Sequence, residues 1–514
     1  MIHYEESDGK IKFSYVSFDG TIKVVSIPIS ESERFQWKYA GKNDNAEPGV
    51  ISHDGKPIMK VRKPYIGKYR IMEILNHNES IKAKHSVIFG NQKPKKYFMD
   101  IETQLIDGMS VDDMMKDPDD KGDYAKAEIR SVAFSCENDV WIYGFKELDA
   151  PQRESLQNMI NNYFADPTNY SPGFEPIVRK FNVHYVKFKD EEQMMKELCE
   201  IQIPQMPFIS GWNFWKFDIN YICRRAKQKF RMKDVVKNMS PTKSTYVLSL
   251  ANKFNKEIKD KIELPNHKVI VDYMAIFEKW DTSLKLKSNM SLDNISNEVL
   301  GIKKVAYSGT LNELYDNEFL KFLWYNAVDT LLVQLIDEKC GTYDTMVTLA
   351  NEGKVQIHDS MFASMIIESL FSYEFYTQTP RRVLVDDRVI ATGLTYAGGL
   401  VKEPKAGIFD DVAIFDFQSM FPSGMMCMNM GIDTYLGKTA DKGKTYVCKD
   451  TGKILPFDME TMAYSSSGAV FSKKYESIMR RSLGSLFDGR IFAKRAGAKL
   501  DREIEYLESL KAKL

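Results

Sequence analysis

Apolar and polar residues alternate along much of the first hundred residues, and Asp-Gly pairs interrupt the alternation at positions 8–9 and 19–20. A period of two residues is typical of a half-buried β-strand, and Asp-Gly is a strong signal for a tight hairpin turn. The first hundred residues therefore predict β-hairpins.

The pattern changes from Tyr97 onwards. YFMDIET is a short apolar strand, and VAFSCENDVWIYGF predicts two more strands. ISGWNFWKFDINYICRRAKQKF predicts a strand, a turn and a helix, and FLKFLWYNAVDTLLVQLIDEKC predicts a long amphipathic helix. Strands followed by helices predict an α/β domain over residues 97–340.

Helical periodicity continues over 341–375, after which TYAGGLVKEP and DVAIFDFQSMFPS predict paired strands leading into a helix. The last forty residues, from about Tyr475, predict a single helix. No later segment of the sequence covers the apolar stripe on that helix, so we expect a partner helix. The stripe consists of Phe492, Ala496, Leu500, Leu507, Leu510 and Leu514.

The composition is that of a globular protein: 514 residues, 43% hydrophobic and 28% charged, with 71 basic and 71 acidic side chains. These values exclude a disordered, fibrous or disulfide-stapled chain. Six cysteines without a CxxC pair argue against a zinc site. Because the sequence has neither a signal-peptide pattern nor an apolar run of about 18 residues, we expect a soluble intracellular protein without a membrane partner.

Charge is unevenly distributed along this neutral chain. Residues 56–96 hold eleven Lys and Arg against two Glu. Such a block indicates either a local contact with a polyanion or a solvated basic face, and the sequence does not decide between them.

Acidic residues occupy positions at which their side chains can converge. Asp100 and Glu102 lie two apart on a predicted strand and therefore share a face. Asp329 follows Tyr325 by one helical turn, and Asp218 lies where a strand and turn enter a helix. Carboxylates without histidine or cysteine suit Mg²⁺ or Mn²⁺ rather than zinc. Two such ions can activate a water and stabilise the leaving oxygen of a phosphodiester.

Three segments in this order resemble the exonuclease motifs in the proofreading domain of family B DNA polymerases. They are FMDIET at 98–103, GWNFWKFD at 211–218 and YNAVD at 325–329. DYMAIFEKW (272–280) and SLDNISNEVLGIKK (291–304) fit the helical region of the same family. The resemblance covers more than 200 residues and implies an RNase H-like 3′→5′ exonuclease domain.

The resemblance also implies how the carboxylates work with two metal ions. Asp100 would bridge both ions, Glu102 and Asp329 would complete the first site, and Asp218 would reach the second ion through water. Tyr325 would orient the attacking water or the scissile phosphate.

Further matching segments imply contacts with DNA. GWNFWKFD would meet the melted 3′ strand, and TYAGGLV (395–401) is similar to a family segment thought to couple the exonuclease and polymerase sites through the template. The implied DNA-contacting residues are Asn213, Phe214, Tyr396, Gly398 and Gly399.

IFDFQSMFPS (414–423) resembles the first polymerase motif of the family, and NMGIDTYLG (429–437) follows as in that family. Asp416 would then be a ligand of the catalytic metals. The backbone that follows it, at Ser419, Met420 and Phe421, would cradle a nucleoside triphosphate. Phe421 stands where the family usually has tyrosine and keeps a ring that excludes a 2′-hydroxyl.

Two cations on the terminal helix complete the resemblance. Arg490 and Lys494 stand four apart and share a face, as an Arg and a Lys of the family do where they grip the β- and γ-phosphates. A solvated pair of surface cations is the alternative interpretation.

Two later polymerase motifs, Lys-x-x-x-Asn-Ser-x-Tyr-Gly and Asp-Thr-Asp, are absent from the sequence. We therefore expect the N-terminal subunit of a split DNA polymerase similar to those of T-even-type bacteriophages, acting in the cytoplasm of an infected bacterial host. A second polypeptide would supply the remaining fingers, palm and thumb and would contact the sliding clamp. The substrates would be primer-template DNA, single-stranded DNA and dNTP, with two Mg²⁺ or Mn²⁺ ions per active site.

Two other functions stay open at this point. One is a stand-alone 3′→5′ exonuclease with a vestigial polymerase half, and the other is a nucleic-acid-binding module.

The expected fold class is α/β, in the sense of an α+β multidomain chain. Its predicted parts are an N-terminal β-rich domain (1–96), the exonuclease domain (97–340), a helical return to the N-terminal domain (341–380), a partial palm (381–470) and the first fingers helix (471–514).

Overall fold

The chain folds into two units, each assembled from two separate stretches of sequence. Unit 1 comprises residues 1–29 and 78–367, and unit 2 comprises residues 30–77 and 368–514. Residues 1–96, predicted as one domain, thus contribute to both units. The computed structural model describes residues 3–64, 66, 68–84, 93–106, 125–251, 258–280, 289–376, 381–385, 402–417, 419–439, 441 and 443–511.

Twenty strands are found in the described residues. In chain order they are β1 (His3–Ser7), β2 (Lys10–Val16), β3 (Ile22–Pro28), β4 (Phe35–Tyr39), β5 (Val50–Ser52), β6 (Ile58–Arg62), β7 (Lys96–Thr103), β8 (Ile129–Cys136), β9 (Asp139–Gly144), β10 (Asn182–Lys187), β11 (Phe208–Gly211), β12 (Thr245–Ala251), β13 (Ile258–Pro265), β14 (Val269–Asp272), β15 (Arg381–Val383), β16 (Tyr435–Lys438), β17 (Thr445–Cys448), β18 (Ile454–Pro456), β19 (Met462–Tyr464) and β20 (Ala469–Ser472).

The α-helices of the same residues are α1 (Lys68–His77), α2 (Glu79–Lys84), α3 (Ala150–Ala165), α4 (Glu191–Lys196), α5 (Ile203–Gln205), α6 (Asp218–Gln228), α7 (Val235–Met239), α8 (Tyr273–Trp280), α9 (Leu292–Leu300), α10 (Leu311–Asn317), α11 (Phe319–Cys340), α12 (Thr342–Glu352), α13 (Ala363–Tyr376), α14 (Met420–Cys427) and α15 (Ile478–Lys511).

A mixed six-stranded sheet forms the centre of unit 1, in the order β10-β9-β8-β7-β11-β14. β7, β8 and β9 pair antiparallel, whereas β9–β10, β7–β11 and β11–β14 pair parallel. The strands predicted from YFMDIET and VAFSCENDVWIYGF are therefore confirmed. Helices connect the parallel pairs, as such connections require.

Apolar side chains cover both faces of this sheet. One cluster contains Phe98, Phe208 and the inward side of α11, and the other contains Met99, Ile101 and Ile222. α11 is the one helix of the described residues that is long and apolar enough to cross a membrane, yet 72% of that segment is buried inside the protein. Its hydropathy thus reflects its place as the core helix against β7 and β8.

The predicted N-terminal hairpins are present as an antiparallel sheet in the order β1-β2-β3. Asp8 and Gly9 join the first two strands with φ values of 53° and 71°. Two consecutive residues with positive φ are what a two-residue type I′ hairpin turn requires, and Asp-Gly tolerates them at low cost.

The described residues of unit 2 form three sheets: β4 with β6, β5 with β15, and five strands in the order β18-β17-β16-β20-β19. The single terminal helix predicted from about Tyr475 is confirmed as α15. The helix predicted to follow DVAIFDFQSMFPS is α14, which begins inside that segment, at Met420. The strand predicted over 411–417 is wrong, because these residues are exposed and make no strand pairing in the described part of the chain. Its predicted partner, 395–401, lies outside the described residues.

Candidate functional site

Two acidic side chains leave the same face of β7 in unit 1. Asp100 and Glu102 are partly exposed, whereas the intervening Met99, Ile101 and Thr103 are buried. Successive side chains of a strand point to opposite faces, so both carboxylates lie on the face opposite to Met99 and Ile101.

A third carboxylate reaches this pair from α11. The oxygens of Asp100, Glu102 and Asp329 all lie within 4.8 Å of one another, and Asp329 is buried. The Nδ2 atom of Asn326 donates to Asp100 Oδ2 at 2.8 Å, and Ser131 Oγ donates to Asn326 Oδ1 at 2.8 Å. Asn326, one turn before Asp329, thus fixes the helix against the strand and orients the Asp100 carboxylate.

Asp218 is the first residue of α6 and lies beside this group. It is buried, and its Oδ1 accepts a hydrogen bond from the Ile101 backbone N at 3.1 Å. The carboxylate is therefore attached to the backbone between Asp100 and Glu102, while the three-carboxylate cluster itself does not include it.

The turn before Asp218 is tightly built. A Cβ atom on Gly211 would meet the Met99 carbonyl oxygen at 2.4 Å, so the close approach of β11 to β7 requires glycine.

The two predicted DNA contacts, Asn213 and Phe214, follow in the same turn. Asn213 has a φ of 60°, and its carbonyl oxygen accepts a hydrogen bond from the Phe217 backbone N at 3.0 Å. Phe214 is fully buried in the core. Its ring is therefore not available to a DNA strand in this arrangement, unlike the partly exposed Asn213.

Lys304 and Tyr325 complete the surroundings of Asp329. The Nζ atom of Lys304 pairs with Asp329 Oδ2 and lies 5.0 Å from the centre of the Tyr325 ring. Tyr307 packs edge-on against Tyr325 with ring centroids 5.2 Å apart. Tyr325 and the four predicted carboxylates thus lie close together in the structure. Lys304, for which no role was predicted, lies beside them.

Burial and mutual repulsion disfavour the charged forms of these acids. Burial, followed by the charge of Asp329, raises the pKa of Asp100 to about 7. Burial and the Asp100 charge raise the pKa of Glu102 and of Asp218 well above their usual values. Burial also raises the pKa of Asp329, although Lys304 opposes this shift. Burial alone would lower the pKa of Lys304, but the charge of Asp329 raises it on balance.

The donor set fits divalent cations that prefer oxygen ligands. Among the described residues, no hydrogen-bond donor reaches the buried Oδ1 of Asp329. A buried carboxylate oxygen without a partner is costly, and clustered carboxylates that repel one another are stabilised by a bound cation. Asp100, Glu102 and Asp329 would hold such an ion, and Asp218 lies on the Asp100 side of the cluster.

We expect the metal-free protein to lose stability as pH rises. These acids have raised pKa values, so the folded state retains protons that the unfolded chain releases above about pH 4. Their stabilising contribution is present at low pH and is lost as pH rises through the folded-state pKa, which for Asp100 is about 7. Asp100→Asn should therefore raise the melting temperature at pH 8 in EDTA by about 2–4 °C.

The matched measurements for this variant are melting curves at pH 5 and with saturating Mg²⁺ at pH 8. With Mg²⁺ the advantage of Asp100→Asn should disappear, because the ion neutralises the carboxylate. At pH 5 the advantage should be smaller than at pH 8, because Asp100 is then protonated in the folded state and only the unfolded chain has released the proton. An equal gain at pH 5 and pH 8 would show that charge repulsion is not its cause.

A second group of predicted residues meets in unit 2. Asp416, Ser419, Arg490 and Lys494 line one pocket of about 290 Å³ between the start of α14 and α15. The Nη1 atom of Arg490 donates to Ser419 Oγ at 2.9 Å. Met420 and Phe421 lie outside this lining, and the Phe421 ring is 76% exposed. Tyr396, Gly398 and Gly399 lie outside the described residues.

The basic block over 56–96 is divided between the two units, and several of its cations have acidic partners. Residues 56–77 belong to unit 2 and residues 78–96 to unit 1. Several cations of the block form ion pairs with acidic side chains. For these cations the pairing favours the interpretation as a solvated basic face. The pairs are Lys56 with Asp54, Lys60 with Glu47, Arg62 with Glu31, Lys93 with Asp344 and Lys96 with Asp337.

Comparison with known families matches segments that contain part of each group of residues. A model of the family B DNA polymerase exonuclease domain matches residues 139–295, and a model of DNA polymerase family B matches residues 335–505. Two separate segments of the chain are thus similar to parts of family B DNA polymerases. The first match contains Asp218 and Asn213, and the second contains Asp416, Arg490 and Lys494.

Similar proteins include the DNA-directed DNA polymerase of Escherichia phage RB69, which is 25% identical over 57% of this chain and 33% of that protein. The DNA-directed DNA polymerase of Enterobacteria phage T4 is 22% identical over 59% of this chain and 33% of that protein. The DNA polymerase delta catalytic subunit of Dictyostelium discoideum is 26% identical over 60% of this chain and 28% of that protein. The matched part is thus about a third or less of each relative.

Lys304 is the main residue of the exonuclease site that the sequence interpretation left without a role. The sequence signal for a role of Lys304 is its position at the end of the segment 291–304, which fits the family's helical region. Nothing in that spacing shows that its side chain reaches α11. The structure supplies the missing information through its contacts with Asp329 and Tyr325.

Replacing Lys304 with methionine should show how much of its contribution to activity comes from its charge and how much from its packing. Methionine keeps an apolar stem of similar length but cannot hold Asp329 or the phenol of Tyr325. We expect nuclease activity to fall about 10- to 100-fold, the effect typical of residues that orient metal ligands. Initial rates on single-stranded DNA measure this, with Lys303→Met as the matched control. A loss of the same size in Lys303→Met would show that general surface charge is the cause.

Proposed function

We propose that unit 1 is a 3′→5′ exonuclease that removes nucleotides from single-stranded DNA with Mg²⁺ or Mn²⁺, and that the chain is part of a DNA polymerase. The observation that carries the proposal is the convergence of Asp100, Glu102 and Asp329 within 4.8 Å. Asp218 beside them and the family match over 139–295 support it.

Each side chain of the site has a distinct part in the proposed hydrolysis. Bound divalent cations would supply an activated water and stabilise the leaving oxygen. Asn326 holds the Asp100 carboxylate in a single orientation. Lys304 pairs with Asp329, opposes the rise in the pKa of that carboxyl and brings positive charge next to the phenol of Tyr325. The Tyr325 hydroxyl would orient a water or a phosphate oxygen. Because these groups are already held in place, they would stabilise the charge that develops in the transition state without a prior rearrangement of the site.

The pocket of unit 2 supports the second part of the proposal. Arg490 and Lys494 present two cations beside Asp416, and two cations on one helix face suit the phosphates of a dNTP. Asp416 is the only carboxylate among the described residues that line this pocket. A two-metal polymerase needs further carboxylates, so other residues would have to complete the site.

We place those residues on a second polypeptide that carries the rest of the fingers, palm and thumb and that contacts the sliding clamp. The exposed face of α15 supports this assignment: Phe492, Leu500, Ile504 and Leu507 are between 52% and 76% exposed. A continuous apolar face on a helix is stabilised by packing against another helix. The likeness to the two phage polymerases favours the cytoplasm of an infected bacterial host as the site of action.

The polarity of degradation tests the proposal. A single-stranded oligonucleotide with a 5′ label should give a ladder of progressively shorter labelled products in the presence of Mg²⁺ or Mn²⁺. The same strand with a 3′ label should release labelled mononucleotide at once. EDTA should stop both reactions. Immediate release of a 5′ label, or internal cuts, would contradict the assignment.

A further inference from the structure

A second group of metal-binding side chains lies in unit 1, apart from the exonuclease carboxylates. Ligand atoms of His3, Glu5 and His267 all lie within 4.8 Å of one another. They come from the first strand of the chain and from the turn between β13 and β14. Their donor set differs from that of the exonuclease site, since two imidazoles replace two carboxylates.

The geometry of this group already resembles a coordination sphere. His267 Nε2 lies 3.2 Å from Glu5 Oε1. Ligands at the usual distances of about 2.0–2.2 Å from a tetrahedral Zn²⁺ stand roughly 3.3 Å apart. The pair of His267 and Glu5 therefore has the spacing of two ligands of one ion, and His3 needs only a small movement to join them.

Neighbouring polar groups hold the candidate ligands, and Glu5 Oε1 itself accepts a hydrogen bond from Ser244 Oγ at 3.0 Å. His267 Nδ1 lies 3.0 Å from Ser14 Oγ, while Glu5 Oε2 accepts from Asn266 Nδ2 at 2.8 Å. Metal-binding histidines are usually held in this way through their second ring nitrogen, which fixes the tautomer and the ring orientation. If Ser14 accepts from Nδ1–H, the lone pair of Nε2 points at the Glu5 carboxylate, which favours a cation between them.

His267 also has an uncommon backbone conformation. This fully buried residue has a φ of 60°, in the left-handed region that few residues other than glycine adopt. Such a conformation persists only where the surrounding structure over-determines it, and it is frequent at ligand sites. The His3 ring packs edge-on against the His267 ring, with centroids 4.8 Å apart.

We propose that His3, Glu5 and His267 form a binding site for a transition-metal ion of the zinc class, distinct from the Mg²⁺ or Mn²⁺ site of the exonuclease. Two imidazoles and one carboxylate are a donor set that zinc accepts, and a water can take the fourth position. The ion would fasten strand β1 to the turn that leads into β14, and so tie the N-terminal sheet to the edge of the central sheet.

Zinc binding to the full-length, tag-free chain tests this site. The exonuclease cluster is first removed with Asp100→Ala and Asp329→Ala, so that its carboxylates cannot take up the ion. Equilibrium dialysis against Zn²⁺ in excess Mg²⁺, followed by elemental analysis, should find one zinc per chain. The melting temperature should rise by several degrees when free zinc reaches about 100 times its dissociation constant.

Three further substitutions in this background locate the bound ion. His3→Ala should abolish stoichiometric binding, and Ser14→Ala, which keeps all three ligands, should weaken it about 10- to 100-fold. His184→Ala is the matched control, since His184 is an exposed histidine paired with Asp139 outside the group, and it should change nothing.

Two results would overturn the proposal. One is a parent chain that binds no zinc under these conditions. The other is a His3→Ala protein that keeps the zinc stoichiometry and affinity of the parent. Because His267 is buried among several partners and its variants risk misfolding, the decision depends on the less buried His3. Nuclease activity is not the readout, so failure of this proposal is separate from failure of the exonuclease assignment.

Discussion

Replacing Asp329 with alanine should lower the rate of 3′-end degradation by about a thousandfold or more. Asp329 is buried within 4.8 Å of both other carboxylates, and its Oδ1 is the atom best placed to bind an ion. Stabilisation of a transition state by a bound metal is worth several kcal/mol, and each 1.4 kcal/mol corresponds to about tenfold in rate. Single-turnover rates with saturating Mg²⁺ measure the effect.

Asp316→Ala is the matched control for this substitution. Asp316 is an exposed aspartate of α10 and contributes no atom to the cluster. Its loss should leave the rate within about twofold of the parent. If Asp329→Ala and Asp316→Ala were equally active, the cluster would not be the catalytic site.

Asp416→Ala should abolish nucleotide addition while leaving exonuclease activity unchanged. The two sites use separate carboxylates in separate units, so loss of one leaves the other intact. We expect addition of dNTP only when the chain is mixed with a polypeptide that carries the remaining fingers, palm and thumb. In that mixture the substitution should cost about a thousandfold or more in rate.

Asp488→Ala, an exposed aspartate of α15, is the matched control and should have a small effect. Primer extension and degradation of single-stranded DNA are measured on the same preparations. Synthesis by the chain alone that disappears in Asp416→Ala would show that no second polypeptide is needed. Extension that persists in the Asp416→Ala mixture would show that this pocket is not the polymerase site.

Local sequence patterns were sufficient for the parts of the exonuclease site that lie on regular elements. The two-residue period of YFMDIET placed Asp100 and Glu102 on one face of a strand, and the four-residue spacing of YNAVD placed Tyr325 and Asp329 on one face of a helix. Both placements agree with β7 and α11. The family resemblance brought these elements together, which periodicity alone does not do.

Local patterns do not predict contacts between residues that are far apart in the sequence. Lys304 reaches Asp329 through a loop after α9, and a loop has no period from which its direction follows. The ring of Phe214 is aromatic and lies in a matching motif, yet the tight turn at Gly211 directs it into the core. Predicting either side chain required the packed structure.

The histidine group illustrates the same limit more strongly. His3 and His267 are separated by more than half of the chain, and neither belongs to a motif with metal-ligand spacing. The absence of paired cysteines argued against zinc in the sequence, but that argument does not test histidine ligands that meet only in the fold.

The most direct test of the exonuclease assignment is metal-dependent degradation of 5′-labelled single-stranded DNA by the chain and by its Asp100→Ala, Asp329→Ala variant. Both proteins are purified identically, and their folding is compared by circular dichroism and melting temperature. We predict that the parent shortens the strand from its 3′ end only with Mg²⁺ or Mn²⁺, and that the folded variant leaves it intact. Undiminished degradation by the variant would contradict the assignment.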